Sequence, residues 1–348
     1  MSKKIAIIGH FGGNENLTDG QTVKTKILYD ELTMKTEWEI QKIDTYYKNK
    51  NPMKLAIQTF KAVTEKKDII VLLSSNGMRF YFPLLYWANM LLGTRVYHDV
   101  IGGNLDSYIK HNPKYVKYLN SFKVNWVETE LLKERVEVCG ITNCEIIPNF
   151  KRLSVLPESA VGIEENGAFH FCTFSRVTKE KGIEDAIAAV EKINLDAGET
   201  VCTLDIYGLI DTKYKKRFFE IMGKTTPCVK YKGIVPFDKS VDAIKDYTAL
   251  LFPTTWDGEG FPGTIVDAYS AGLPVIATDW NSNSEVIKDG KTGLIYSHED
   301  KDGLILSMKK FIGYDASVRM IMKGNCLAMA KEYMPEKWIS KIKNRIDG

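Results

Sequence analysis

This chain lacks a C-x-x-C pair among its six cysteines, a G-x-G-x-x-G, a low-complexity tract and any apolar run near the roughly 18 residues of a membrane-spanning helix. Cys139, Cys144, Cys172, Cys202, Cys228 and Cys326 are scattered and fall mostly within apolar runs, so they read as reduced core thiols of a cytosolic protein, not as disulfides or metal ligands. Without the dinucleotide fingerprint a bound NAD has no support, and no other cofactor is indicated. A net charge of +3 is too small to argue for nucleic acid as a partner. The opening MSKKIAIIGH enters a strand pattern at once, lacking the apolar core and cleavage site of a signal peptide, so the expected location is cytoplasmic. Absence of a repeat of solenoid period excludes stacked-repeat architectures.

What is present describes a globular α/β protein. Apolar residues make up 44% and charged residues 26% of 348, enough chain for two domains with separate cores. Buried-strand runs are expected near 5–8, 39–43, 68–73, 94–97, 124–127 and 145–147, with helical patterns between them, which predicts a parallel sheet covered on both faces. Pro148, Pro157, two glycines, Glu164 and Glu165 then interrupt the rhythm, and 149–167 is the expected hinge. It restarts with strands near 169–174, 203–207, 229–231, 249–252, 275–277 and 294–296, and the last fifty residues are helical. The expected domains are 1–155 and 156–334.

The chemistry centres on 249–285, where an apolar strand run is followed by Asp257, Gly258 and Gly260, a helical pattern from Gly263, and a second apolar run. Ligands of parallel sheets bind beyond the strands' carboxyl ends, where free N–H groups at a helix start favour anions. Glu259 and the amides of Gly263 and Thr264 belong there, and Asp267 one turn into the helix supplies a second carboxylate. Paired hydroxyls of a ribose or hexose suit carboxylates, while a phosphate suits the amides, so the combination fits a sugar nucleotide. Arg176 and Lys181 follow the first strand of the second half, where two cations can neutralise a diphosphate. The competing reading of each loop is a solvated one. In the first loop Gly12 and Gly13 permit close approach of backbone to a ligand, here taken as the donor, and His10 is either a ligand contact or directed to solvent.

The segment EGFPGTIVDAYSAGLPVIATD resembles the E-x7-E region of the retaining glycosyltransferases of family 4, and the opening GHFGGNENLTDGQTVKTK resembles members from bacterial surface-polysaccharide pathways. The first of these segments departs in having Asp267 for the second Glu and Pro-Gly-Thr after Phe261. The resemblance implies a GT-B fold, two Rossmann-like doubly wound domains facing across a deep cleft, with a last helix of about 335–348 packing back on the first domain. It implies a hexose moved from a nucleotide-diphosphate sugar, taken as UDP-linked, to a glycan acceptor that is lipid-linked. Arg176 and Lys181 then match the cations that bind the leaving diphosphate, Glu259 and Phe261 fall in the donor segment, and Gly208, Gly233 and Val235 match backbone positions along the donor. Glu285 precedes the turn Asp289–Gly293 as in the family. His98 matches a histidine that contacts the transferred sugar, the alternative being a satisfied structural residue, and Asp99 is a candidate for the acceptor hydroxyl. Rivals are a sugar-nucleotide epimerase of the same fold and a non-catalytic sugar-nucleotide-binding protein.

No metal is expected, since Asp300 and Asp302, the one D-x-D, look like the start of a helix. Lys48, Lys50, Lys54, Lys61, Lys66 and Lys67 precede an aromatic stretch, Met78–Gly93. With Phe80, Phe82, Tyr86 and Trp87 partly exposed, these residues predict peripheral contact with the inner, anionic face of a membrane; the plainer reading is a core helix.

Overall fold

The computed structural model describes residues 2–15, 17, 19–65, 68–162 and 167–348. Lys66, Lys67, Glu164 and Glu165 lie outside the described residues. The chain forms two compact units. The first comprises Met1–Arg152, Gly258–Phe261 and Met334–Gly348, and the second Leu153–Asp257 and Pro262–Tyr333.

In the first unit six strands, β1 (Lys4–Gly9), β2 (Glu39–Asp44), β3 (Asp68–Leu72), β4 (Arg95–Asp99), β5 (Val124–Val127) and β6 (Cys144–Ile146), form one parallel sheet. Its order is β2-β1-β3-β4-β5-β6. The period of two explains the unbroken apolar runs. Ala6, Ile8, Ile69 and Val71 enter a core with the helices Pro52–Glu65 and Ser75–Leu92, while Ile5, Ile7, Ile70 and Leu72 enter another with Gly20–Lys35 and Pro335–Asp347. The helix Gly20–Lys35 starts where the Asp19 carboxylate accepts from Thr22 N at 3.1 Å, a side-chain cap.

The second unit repeats the plan with β7 (Phe169–Phe174), β8 (Cys202–Tyr207), β9 (Val229–Gly233), β10 (Ala249–Phe252), β11 (Val275–Thr278) and β12 (Gly293–Tyr296). All pairings are parallel, in the order β12-β11-β10-β7-β8-β9. In both sheets the chain winds outward in two directions from an interior pair, β1/β3 and β7/β10. These are the switch points at which doubly wound folds open room for ligands.

The aromatic stretch departs in part from the sequence expectation. Met78–Leu92 belongs to the helix Ser75–Leu92, and its faces separate Phe82 and Tyr86, which are buried against the sheet and the helix Lys114–Ser121, from Phe80 and Trp87, which are exposed. Residues 82 and 86 stand one turn apart on the face opposite 80 and 87, so a helix packed on the sheet buries one pair and exposes the other. All six cysteines are free thiols, with Cys172, Cys202 and Cys326 fully buried.

Candidate functional site

In the second unit the loops after β7 and β10 meet at the switch point. The Thr264 hydroxyl donates to Phe174 O at 2.6 Å and Thr255 N donates to Glu180 O at 2.8 Å, so the start of the helix Gly263–Ser270 is tied to the end of β7. Arg176 is exposed, its guanidinium 5.7 Å from the centre of the Trp256 ring, and among the described residues no acid pairs with it. Lys181, half-buried, places its ammonium 5.4 Å from the Phe252 ring. Two cations therefore share this rim with the free N–H groups of Gly263 and Thr264. Positive charge beside a helix start suits an anion as ligand.

The other donor candidates line neighbouring strand ends. Gly208 follows β8 at φ 135°, where a side chain's Cβ would stand 1.7 Å from Ser175 O; only glycine permits these two loops to touch. Tyr231 donates its hydroxyl to Gly208 O at 2.8 Å. Gly233 closes β9, and Val235 lies half-buried just beyond it. Asp267 is buried on the inner side of its helix and accepts from the Ser240 hydroxyl at 2.8 Å. Asp300 and Asp302 are exposed; Asp300 accepts from Asp302 N at 3.0 Å, and Asp302 stands at the N-cap position of the helix Gly303–Ile312 without a side-chain cap bond. Among the described residues no three His, Cys, Asp or Glu side chains group as metal ligands.

Glu259 groups with the first unit, half-buried in the segment Gly258–Phe261. Gly103 N donates to Gly258 O at 3.3 Å, and a Cβ on Gly103 would stand 2.2 Å from Glu259 O, which is why the HDVIGG loop ends in glycine. Phe261 N donates to Glu128 Oε2 at 3.0 Å. The other oxygen of Glu128 accepts from Lys24 at 2.9 Å, and Lys24 also meets Asp99 at 2.6 Å and Val100 O at 2.9 Å. All three ionisable side chains are more than nine-tenths buried. Burial lowers the pKa of Lys24, but the two carboxylates outweigh it and hold the ammonium above its ordinary value. Burial pushes Asp99 up to about 6 despite Lys24.

His98 is wholly buried at the end of β4, edge-on to Phe82 with centroids 5.0 Å apart. Its Nδ1 lies 3.1 Å from Asn125 Oδ1, and the Asn125 amide is oriented by donating to Leu119 O and Asn143 Oδ1. Nδ1 is thereby the protonated nitrogen, and the buried Nε2 has no partner among the described residues. Burial pulls the His98 pKa down to about 4. His10 Nδ1 sits 2.8 Å from the Thr22 hydroxyl. Phe11 N and Gly13 N donate to the Asp44 carboxylate at 2.9 and 2.8 Å, folding the first loop over the end of β2, while Gly12 is buried beside it. A cavity there is lined by Gly13, Lys42, Asp44, Tyr47, Lys54 and Gln58.

Lys24, Glu128, Ser240 and Trp256 were not among the sequence candidates. A signal for Lys24 did exist, since it stands four residues before Leu28 and eight before Leu32, on the helix face that enters the core.

Residues 168–313 match the family described as "Glycosyl transferases group 1". A curated relative, the amylovoran biosynthesis glycosyltransferase AmsK of Erwinia amylovora, is 25% identical over 178 residues, which is 49% of this chain and 43% of that relative. The chain thus spans less than half of that relative's length. Among solved structures, Anabaena HepE, in complex with UDP and glucose, superposes with a TM-score of 0.72 at 12% identity, covering 99% of both chains. Sucrose-phosphate synthase of Thermosynechococcus elongatus gives 0.74 at 14% identity over 98% of both. The two doubly wound units have the GT-B fold.

Proposed function

We propose that this chain, a GT-B protein whose residues 168–313 fall in the group 1 glycosyltransferases, transfers a hexose from a UDP-sugar to a glycan acceptor, with retention at the anomeric carbon. The observation that carries the reading is the pair Arg176 and Lys181 beside the N–H groups of Gly263 and Thr264 at the switch point of the second sheet. In the transfer the anomeric C–O bond to the diphosphate breaks, the new bond forms to an acceptor hydroxyl, and the hydroxyl proton ends on solvent or the departing phosphate. Negative charge grows on the diphosphate as it leaves, and fixed cations that need no rearrangement lower that barrier.

Glu259 receives hydroxyls of the transferred sugar, and the buried Asp267 carboxylate receives the ribose. Gly208, Gly233 and Val235 present backbone along the nucleoside. The acceptor, in this reading the lipid-linked glycan of a surface polysaccharide, enters at the cavity by Gly13 and Tyr47, where amide and hydroxyl groups suit a sugar. The name of AmsK and the UDP and glucose in the HepE complex support the assignment of class. With two cations on the diphosphate a divalent ion is redundant, so turnover should persist in excess chelator. The decisive experiment is UDP release from a panel of UDP-sugars, with and without glycan acceptors. Acceptor-dependent release supports transfer, interconversion of the sugar without release indicates an epimerase, and binding without either indicates a non-catalytic protein.

A further inference from the structure

The outer surface of the helices Pro52–Glu65 and Ser75–Leu92 is apolar along two stripes. Met53, Ile57 and Phe60 recur at helical spacing on the first, 71, 61 and 72% exposed. On the second, Phe80, Leu84, Trp87 and Leu91 are 69, 40, 56 and 74% exposed. The helices are neighbours, with the hydroxyls of Thr59 and Tyr81 3.2 Å apart, and their opposite faces enter one core, so the stripes lie side by side. A surface helix ordinarily carries charge on its outer face. Here Asn76 and Arg79 are the only polar residues among the exposed positions of the helix Ser75–Leu92. An uncovered face of this kind marks an interaction surface.

Its surroundings are of one sign. Lys48, Lys50, Lys54, Lys61 and Arg79 are exposed on the same two helices and the turn before them. Among the described residues the acids that pair with them are Glu15, 3.6 Å from Lys50, and Glu65, 3.9 Å from Lys61. A protein partner would offer hydrogen-bonding groups that the second stripe has nothing to satisfy. A bilayer boundary needs none: its acyl region accepts protruding Phe, Trp and Leu, and its phosphates meet lysines around them.

We propose that this face docks on an anionic lipid bilayer, with Phe60, Phe80, Leu84 and Trp87 entering the headgroup boundary and Lys48, Lys54 and Lys61 on the phosphates. Lys54 also lines the cavity by Gly13, so docking brings the proposed acceptor entrance to the lipid surface. The surface itself is independent of the transferase reading, and its test needs no sugar donor.

The full chain is sedimented with vesicles of phosphatidylcholine alone or with phosphatidylglycerol at low and high salt. Binding should require phosphatidylglycerol and weaken with salt. Each lysine near the surface contributes about 1 kcal/mol, roughly fivefold in partitioning, so Lys48→Glu with Lys61→Glu should lower it more than twentyfold. Phe80→Ser with Trp87→Ser should abolish binding while leaving the thermal transition in place, because both side chains are exposed. Trp87 emission should shift to the blue and be quenched by brominated acyl chains, a signal lost in Trp87→Phe. Recovery of the chain in the supernatant at low salt, binding unchanged by the serine pair, or a dimer that this pair dissociates would each overturn the proposal, the last by assigning the face to a second copy.

Discussion

Arg176 and Lys181 differ in what their surroundings already provide. Arg176 has a ring beside it and no acid among the described residues, so its charge is left for a ligand, whereas Lys181 is half-buried against Phe252. Replacing either by Ala should cost about 3 kcal/mol of transition-state stabilisation, roughly a hundredfold in kcat, because charge develops on the diphosphate during the step. Steady-state turnover of both variants checks this, and unchanged kcat would remove the pair from the site. Glu259→Ala should abolish transfer while UDP affinity is kept; Asp267→Asn should instead weaken UDP. Calorimetric titration with UDP separates the two, and an equal loss in both contradicts that division. His98 gives a pH test. Its folded pKa of about 4 lies below the ordinary 6.5, so the unfolded chain takes up a proton first on acidification. Its contribution to stability is complete above pH 6.5 and falls through the interval down to 4, by about 3 kcal/mol if the full shift is expressed. Burial also raises Asp99 to about 6, which acts in the opposite sense between 6 and its ordinary value. Urea unfolding from pH 7 to 4 should therefore show His98→Asn losing less stability on acidification than the parent chain. Parallel curves would show that the imidazole is not the group that titrates.

Elements were more legible than the bonds between them. A strand buried on both faces announces itself as an unbroken apolar run, as β3, β10 and β11 do, whereas the edge strands β2 and β9 carry charged residues among their apolar ones. The strand-end loops, with Arg176 and Lys181 just past β7 and Glu259 past β10, could be found because a doubly wound fold fixes where its loops emerge. The buried cluster of Lys24, Asp99 and Glu128 could not, since Lys24 and Glu128 are 104 residues apart and nothing local records that they meet. The same applies to Phe82 and Tyr86, where aromatic content was visible but the inward face of the helix was set by the sheet. In this cluster Glu128 ties the helix Gly20–Lys35 to the segment that carries Glu259, through Lys24 on one oxygen and Phe261 N on the other. Lys24→Met leaves two buried carboxylates without their cation and should cost about 3–5 kcal/mol. Glu128→Gln keeps an acceptor and should cost about 1–2 kcal/mol. Chemical denaturation ranks the two, and a Lys24→Met variant within 1 kcal/mol of the parent would mean that water already reaches the cluster.

At the scale of the molecule the first unit is not one stretch of chain. It takes Pro335–Asp347 from the far end, burying Ile339, Ile342 and Ile346 in the core with Ile5, Ile7, Leu28, Leu32 and Trp126. Polar bonds join the same elements. Arg345 pairs with Glu145 at 2.9 Å, and Arg152 reaches both the buried Glu31, at 2.7 Å, and Glu336, at 2.8 Å. Deleting residues 334–348 removes three buried aliphatic side chains, each worth about 2 kcal/mol when buried, and leaves apolar groups of the sheet in water. A loss of about 6 kcal/mol is a large share of the 5–15 kcal/mol that holds a typical domain folded. The second unit keeps its whole core, since none of these residues enters it. Calorimetry on the chain ending at residue 333 should therefore show the first unit's transition lost or lowered by tens of degrees, with that of the second retained. A peptide spanning 334–348 should restore the first transition in trans, and Ile339→Asp with Ile342→Asp in that peptide should prevent it. If the truncated chain keeps both transitions, this helix is an ornament of the first unit and not part of its core.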